Sequence, residues 1–249
     1  MVEAIISGVV QGLTEFLPIS SSGHLVLLHR YFGYQEPRLI FDIFLHVGTL
    51  FAVIVYFWRD IINLITKQKR LLLLIIIASI PTAVIGFLFK DLLKSLFVNV
   101  RVVGIMLFVT AGFLFIGEWA AGRKKDKTGL SWFKALVIGI VQGISIIPGI
   151  SRSGSTISTG MFLGLEKKEA VRFSFLLSIP AILGALAFML RNGAGMSVDT
   201  LSLLAATASA FVVGLAAIYI LIKAVARARL KFFAIYCLLM GTLILLGTS

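Results

Sequence analysis

Cysteine and charge are what this chain has least of. A single cysteine, Cys237, sits in an apolar stretch, so no internal disulfide can form and the residue is expected to be a small buried side chain. Only 14% of the 249 residues are charged, where a soluble domain carries about 25%, which excludes an ordinary water-solvated domain. Histidine occurs three times, as His24, His29 and His46; the second half of the chain has none. Met1 to Ala4 carries Glu3 and no basic cluster, so a cleavable secretory leader is not expected.

What the chain has instead is apolar mass, with 59% hydrophobic residues and a mean hydropathy of +1.05. It reads as an all-α, multi-pass membrane protein, best divided by the roughly 20 residues a helix needs to cross a bilayer. Six stretches are long and apolar enough to do so, at about 40–58, 71–89, 102–121, 172–190, 201–223 and 232–248. Two others, 2–32 and 131–166, are interrupted midway by proline and a Ser/Gly cluster, which leaves pieces too short to span. Proline lacks a donor and ends the helix before it, so each is expected to be a re-entrant helix-loop-helix hairpin.

The two interrupted stretches resemble each other. Gly8-Val9-Val10-Gln11-Gly12 answers Gly139-Ile140-Val141-Gln142-Gly143, and the later Ser/Gly cluster of one answers that of the other. One membrane domain built of two repeats, about 1–125 and 126–249, is expected. The formal net charge is +12, but the basic residues lie in short runs between apolar segments, which argues for a lipid boundary and against nucleic acid. Sixteen of the 23, within 59–70, 123–134, 167–172 and 223–231, fall on one side; Arg30, Arg38, Lys90, Lys94, Arg101 and Arg191 fall on the other. The richer side is assigned to the cytoplasm. Three spans separate the hairpins, so the repeats are expected to be inverted, their tips meeting near the midplane and the site opening to the extracytoplasmic side.

The tips carry the chemistry. Gln11 and Glu15 are four apart and share a helix face. Ser20, Ser21 and Ser22 follow Pro18, where hydroxyls cap free backbone N–H groups and a helix N-terminus favours anions. Ser21 and His24 are three apart, close enough for an imidazole to approach a hydroxyl, so Ser21 is the expected nucleophile and His24 its base. Glu15 either orients His24 or holds a metal. The second tip sets Ser151, Ser153, Ser155 and Thr156 around Arg152. An arginine at membrane depth costs at least about 2.5–3.5 kcal/mol, and an anion should repay it. Two helix N-termini and one guanidinium make a phosphate site, with Arg152, Ser151, Ser153, Thr156, Ser20 and Gln11 as the expected binding set. A plain ion pair with Glu15 is the alternative role for Arg152. His29 and His46 are expected to face a headgroup or a neighbouring helix, and Ser7, Ser79 and Ser178 to bond a carbonyl one turn back.

Residues 15–24, EFLPISSSGH, with Gln11 before them, together with 148–156, PGISRSGST, resemble the paired signature motifs of the bacterial undecaprenyl-diphosphate phosphatases, or bacitracin-resistance proteins. The match covers both motifs, their order and spacing, and the hydrophobic layout of essentially the whole chain. The resemblance implies hydrolysis of undecaprenyl diphosphate to the monophosphate carrier used in peptidoglycan synthesis, in the bacterial plasma membrane, with a divalent cation such as Mg²⁺ or Ca²⁺. That family has Glu or Gln four residues before an essential Glu; here Gln11 stands there, so Glu15 is the lone carboxylate. One glutamate plus diphosphate oxygens suits a hard cation. Attack by metal-bound water stands as the alternative to attack by Ser21. The implied partners are the polyprenyl diphosphate and the bilayer, with a homodimer left open.

Three rival functions share some of these features. Lipid phosphatases with a PSGH motif need a second histidine after the SR motif, and none follows Arg152. An intramembrane serine protease has no use for a buried arginine among hydroxyls. A transporter of a polyprenyl phosphate lipid would share the inverted repeats and broken helices, and a phosphate-release assay separates it from a hydrolase.

Overall fold

A helix satisfies every backbone polar group within its own segment, which an apolar chain without water requires. The computed structural model describes residues 1–34, 38–122, 129–191, 199–227 and 229–248, and among these it contains helices and no strand. The basic residues Arg123, Lys124, Lys125 and Lys127 and the boundary between the expected repeats lie outside the described residues.

The first interrupted stretch folds as α1 (Val2–Phe16) and α2 (Ser21–Tyr31), the second as α8 (Trp132–Ile144) and α9 (Arg152–Phe162). At 1.5 Å per residue none of the four reaches the roughly 30 Å of a bilayer core. Between the pairs run α3 (Leu39–Tyr56), α4 (Trp58–Thr66), α5 (Lys69–Leu88), the short α6 (Lys90–Leu96) and α7 (Val100–Ala121). After α9 come α10 (Lys167–Arg191), α11 (Thr200–Ala226) and α12 (Leu230–Gly247). Helices α5, α7, α10, α11 and α12 are long and apolar enough to cross a membrane.

The expected span 40–58 is the one that differs. Helix α3 stops at Tyr56, and the chain bends by 73° into α4. Charge follows the bend directly: α4 carries Arg59 and Asp60 in its first turn, and Asp60 pairs with Arg172 Nε of α10 at 2.6 Å.

Small residues set the packing, as expected where helices associate without a hydrophobic driving force. Helix α1 lies on α11, and a Cβ on Gly8 would overlap the Ala206 carbonyl. Helix α8 lies on α5, and a Cβ on Gly139 would overlap the Ala78 carbonyl. Helix α7 packs along α12, and α3 along α11. The two hairpin tips abut: a Cβ on Gly23 would lie 3.3 Å from Gly149 Cα, and one on Gly154 would lie 3.0 Å from Pro18 Cβ. The Thr110 hydroxyl of α7 pins the second tip, donating to the Gly149 carbonyl at 2.8 Å and accepting from Ser151 N at 2.9 Å. Cys237, fully buried on α12, sits 3.8 Å from the Pro18 carbonyl. Ser7, Ser79 and Ser178 bond carbonyls of their own helices, as read from the sequence.

Candidate active site

The second helix of each hairpin begins with the same device. The Ser20 hydroxyl accepts from Gly23 N at 3.3 Å, and the Ser151 hydroxyl accepts from Gly154 N at 3.1 Å. Each cap is also 3.3 Å from the serine two residues on, Ser22 and Ser153. Ser20 holds φ at 69°, the only non-glycine residue among those described in the left-handed region. Such backbone persists only where its surroundings enforce it. The first helical residue after each cap is therefore the structural counterpart of the other: Ser21 on α2 and Arg152 on α9.

Both of these residues reach Glu15. The Ser21 hydroxyl donates to Glu15 Oε2 at 2.5 Å, and Arg152 Nη2 forms an ion pair with Oε1. Gln11, one turn earlier on α1, donates its amide to Oε2 at 3.1 Å, so the shared face of Gln11 and Glu15 is realised. His46 of α3 places Nε2 3.4 Å from Oε2, and the Ser153 hydroxyl donates to the Glu15 backbone carbonyl at 3.4 Å. A carboxylate that is only 7% exposed is thus met from both hairpins and from α3. Two polar atoms of the cluster remain buried without a protein partner, Arg152 Nη1 and Gln11 Oε1. Buried donors and acceptors are rarely left so, which leaves each of the two atoms available to a polar ligand.

Two expected placements are corrected. His24 does not approach Ser21: its Nδ1 bonds the Ser20 carbonyl at 2.8 Å, one turn back, and its Nε2 meets the Tyr236 hydroxyl of α12 at 2.7 Å. The spacing of three puts both residues near one face, but the Ser20 carbonyl and Tyr236 hold the ring toward α12. Thr156 does not face the tips. Its hydroxyl bonds the Arg152 carbonyl at 2.7 Å and Ser174 of α10 at 2.7 Å, the usual fate of a hydroxyl one turn inside a helix. Ser155 likewise bonds the Arg152 carbonyl. The ion pair named as the alternative role for Arg152 is formed, yet its Nη1 stays open, so pairing and anion binding are compatible.

His46, Asp42, His29 and Tyr236 were not singled out as site residues. The sequence signal covers two of them, Asp42 and His46, which are four apart on an apolar span; only the structure sets His29 Nε2 3.5 Å from Asp42 Oδ1. Nothing local pointed to Tyr236. For a metal, Glu15 and the orphaned Gln11 oxygen form a sparse oxygen set, and among the described residues no group of three or more His, Cys, Asp or Glu side chains lies together.

Residues 4–243 match the family described as bacitracin resistance protein BacA. An undecaprenyl-diphosphatase of Desulforapulum autotrophicum is 43% identical, over 96% of this chain and 95% of that protein. Those of Syntrophotalea carbinolica and Methanosphaera stadtmanae are 44% and 41% identical, over 96% and 97% of this chain and 95% of each relative.

Proposed function

This chain belongs to the BacA family of bacitracin resistance proteins, and from that premise we propose that the cluster around Glu15 is where it removes the terminal phosphate of its substrate. The activity is that of its relatives: hydrolysis of undecaprenyl diphosphate to undecaprenyl phosphate and inorganic phosphate. The observation that carries the site is the convergence on one carboxylate of a serine hydroxyl and a guanidinium from two different hairpins, beside an unpaired Nη1.

The geometry divides the work as follows. Glu15 Oε2 accepts the Ser21 proton as Ser21 Oγ bonds to the terminal phosphorus, so the carboxylate and not His24 is the base for the first step. The bond from that phosphorus to the bridging oxygen breaks, and undecaprenyl phosphate leaves with the electron pair. Water then hydrolyses the phosphoserine, releasing inorganic phosphate and restoring the hydroxyl. Arg152 offers Nη1 to the phosphoryl oxygens, and the N-termini of α2 and α9 favour the same negative charge through their helix dipoles. Gln11 holds Glu15 from behind. Glu15 and Gln11 Oε1 are the residues that would hold a hard divalent cation beside the diphosphate, where it would supply positive charge to the phosphate oxygens. His24, bonded to the Ser20 carbonyl at 2.8 Å, holds the start of α2 and with it Ser21.

The same reading extends to the layout, as two inverted repeats in the bacterial plasma membrane with the site opening to the extracytoplasmic side. In its support, one interval separates Ser20 from Ser151, Gly23 from Gly154 and Pro18 from Gly149, and the tip contacts interchange under it. The pairing of α1 with α11 and of α8 with α5 interchanges likewise. Phosphate release from undecaprenyl diphosphate in detergent micelles tests the reading. Steady turnover is expected; a purified protein that moves the lipid across vesicles but releases no phosphate would overturn it in favour of a transporter.

A further inference from the structure

The two hairpins are not held alike. Helix α9 packs on α7, α8 and α10, and every residue from Ser153 to Met161 is buried. Helix α2 packs on α1 and only lightly on α7, and fewer of its side chains are buried. Yet α2 carries Ser21, whose hydroxyl must keep its place against Glu15. Something else must restrain it.

The described contact from α2 to α12 is made by His24 and Tyr236. The rings stack with centroids 5.8 Å apart and planes within 9°, and Nε2 lies 2.7 Å from the phenol oxygen. A carbonyl only accepts, so the short bond from Nδ1 to the Ser20 carbonyl requires the hydrogen on Nδ1. In the neutral ring Nε2 then has a lone pair and no hydrogen, and the Tyr236 hydroxyl is the donor. One imidazole thereby links the carbonyl of the strained cap Ser20, the residue before Ser21, to a helix 212 residues away in sequence.

We propose that Tyr236 is a positioning residue, which by donating to His24 Nε2 fixes that ring's tautomer and ties the start of α2, with Ser21, to α12. The proposal rests on the reading of the Glu15 cluster and of His24 given above. It requires no change in charge at either residue, and it gives a role to a tyrosine in a segment that otherwise reads as lipid-facing.

Tyr236→Phe removes one oxygen and keeps the stacked ring. The expected result is a fall in kcat of about tenfold, the scale of one lost hydrogen bond, with KM within about twofold. On a His24→Ala background Tyr236→Phe should cause no further loss, because its effect passes through the imidazole. Nitrogen-15 spectra of histidine-labelled wild type, which has only three histidines, should show the His24 ring protonated at Nδ1, with its Nε2 resonance moving in Tyr236→Phe. A wild-type His24 protonated at Nε2 overturns the proposal without recourse to any variant. So does an equal loss from Tyr236→Phe with and without His24. Tyr236→Phe at the wild-type rate beside a crippled His24→Ala sinks this inference alone, whereas His24→Ala at the wild-type rate sinks the parent reading of His24 along with it.

Discussion

At the residue scale the site turns on which group takes the serine proton. The Ser21 hydroxyl sits on Glu15 Oε2 and His24 is engaged elsewhere. Ser21→Ala and Glu15→Gln should therefore each lower turnover by several orders of magnitude, and the double variant should lose little more, since residues acting as one unit are not additive. His24→Ala alone should cost far less than Ser21→Ala, and should add little to it, because His24 acts by holding the helix start that carries Ser21. Rapid quench of the wild type should trap phosphoserine at Ser21. Additive losses at Ser21 and Glu15 with no trapped phosphoserine would transfer the attack to a metal-bound water. Arg152 supports a second measurement. Lysine keeps its charge but cannot hold Glu15 with one nitrogen and offer another to phosphate, so Arg152→Lys should lower kcat/KM at least tenfold, about 1.4 kcal/mol, with folding retained. Near-normal turnover by that variant would remove the phosphate role.

At the element scale the hairpins are aimed by helix crossings that depend on missing side chains. The approach of α8 to α5 places Gly139 against the Ala78 carbonyl, and that backbone cannot yield as a side chain could. Gly139→Val should cost about 1–3 kcal/mol by overpacking and should lower activity as well, because α8 leads into the tip that carries Arg152. Gly184 of α10 is the control. A Cβ there meets nothing within 4 Å, so Gly184→Ala should raise stability by about 0.5–1 kcal/mol through helix propensity alone. Thermal unfolding in detergent, followed by circular dichroism, reads both. Equal behaviour of the two variants would mean that close packing at Gly139 does not govern the hairpin.

At the scale of the whole molecule the proposed orientation rests on sixteen basic residues against six. With Cys237 replaced by serine, Asn192→Cys should react with an impermeant thiol reagent in intact cells and Asp126→Cys should not; both positions lie outside the described residues. The reverse pattern would turn the protein over and open the site to the cytoplasm. It would leave the Glu15 cluster untouched, since that geometry does not depend on which face is outside.

The sequence by itself determined the membrane class, the two interrupted stretches, the serine caps at their tips and the common face of Gln11 and Glu15. Each of these follows from a fixed period or a local rule: bilayer thickness sets segment length, proline breaks a helix, and a hydroxyl before a helix start caps it. Only the tertiary structure decided that Ser21 bonds Glu15, that His24 turns away to Tyr236, that His46 joins the carboxylate and that α3 ends in a sharp bend at Phe57. Spacing along one helix says which side chains share a face, but not which of two acceptors a hydroxyl will meet. That choice depends on where other helices cross, and the crossings are set by the close approach of small residues such as Gly8 to Ala206 and Gly139 to Ala78, far from the groups they align.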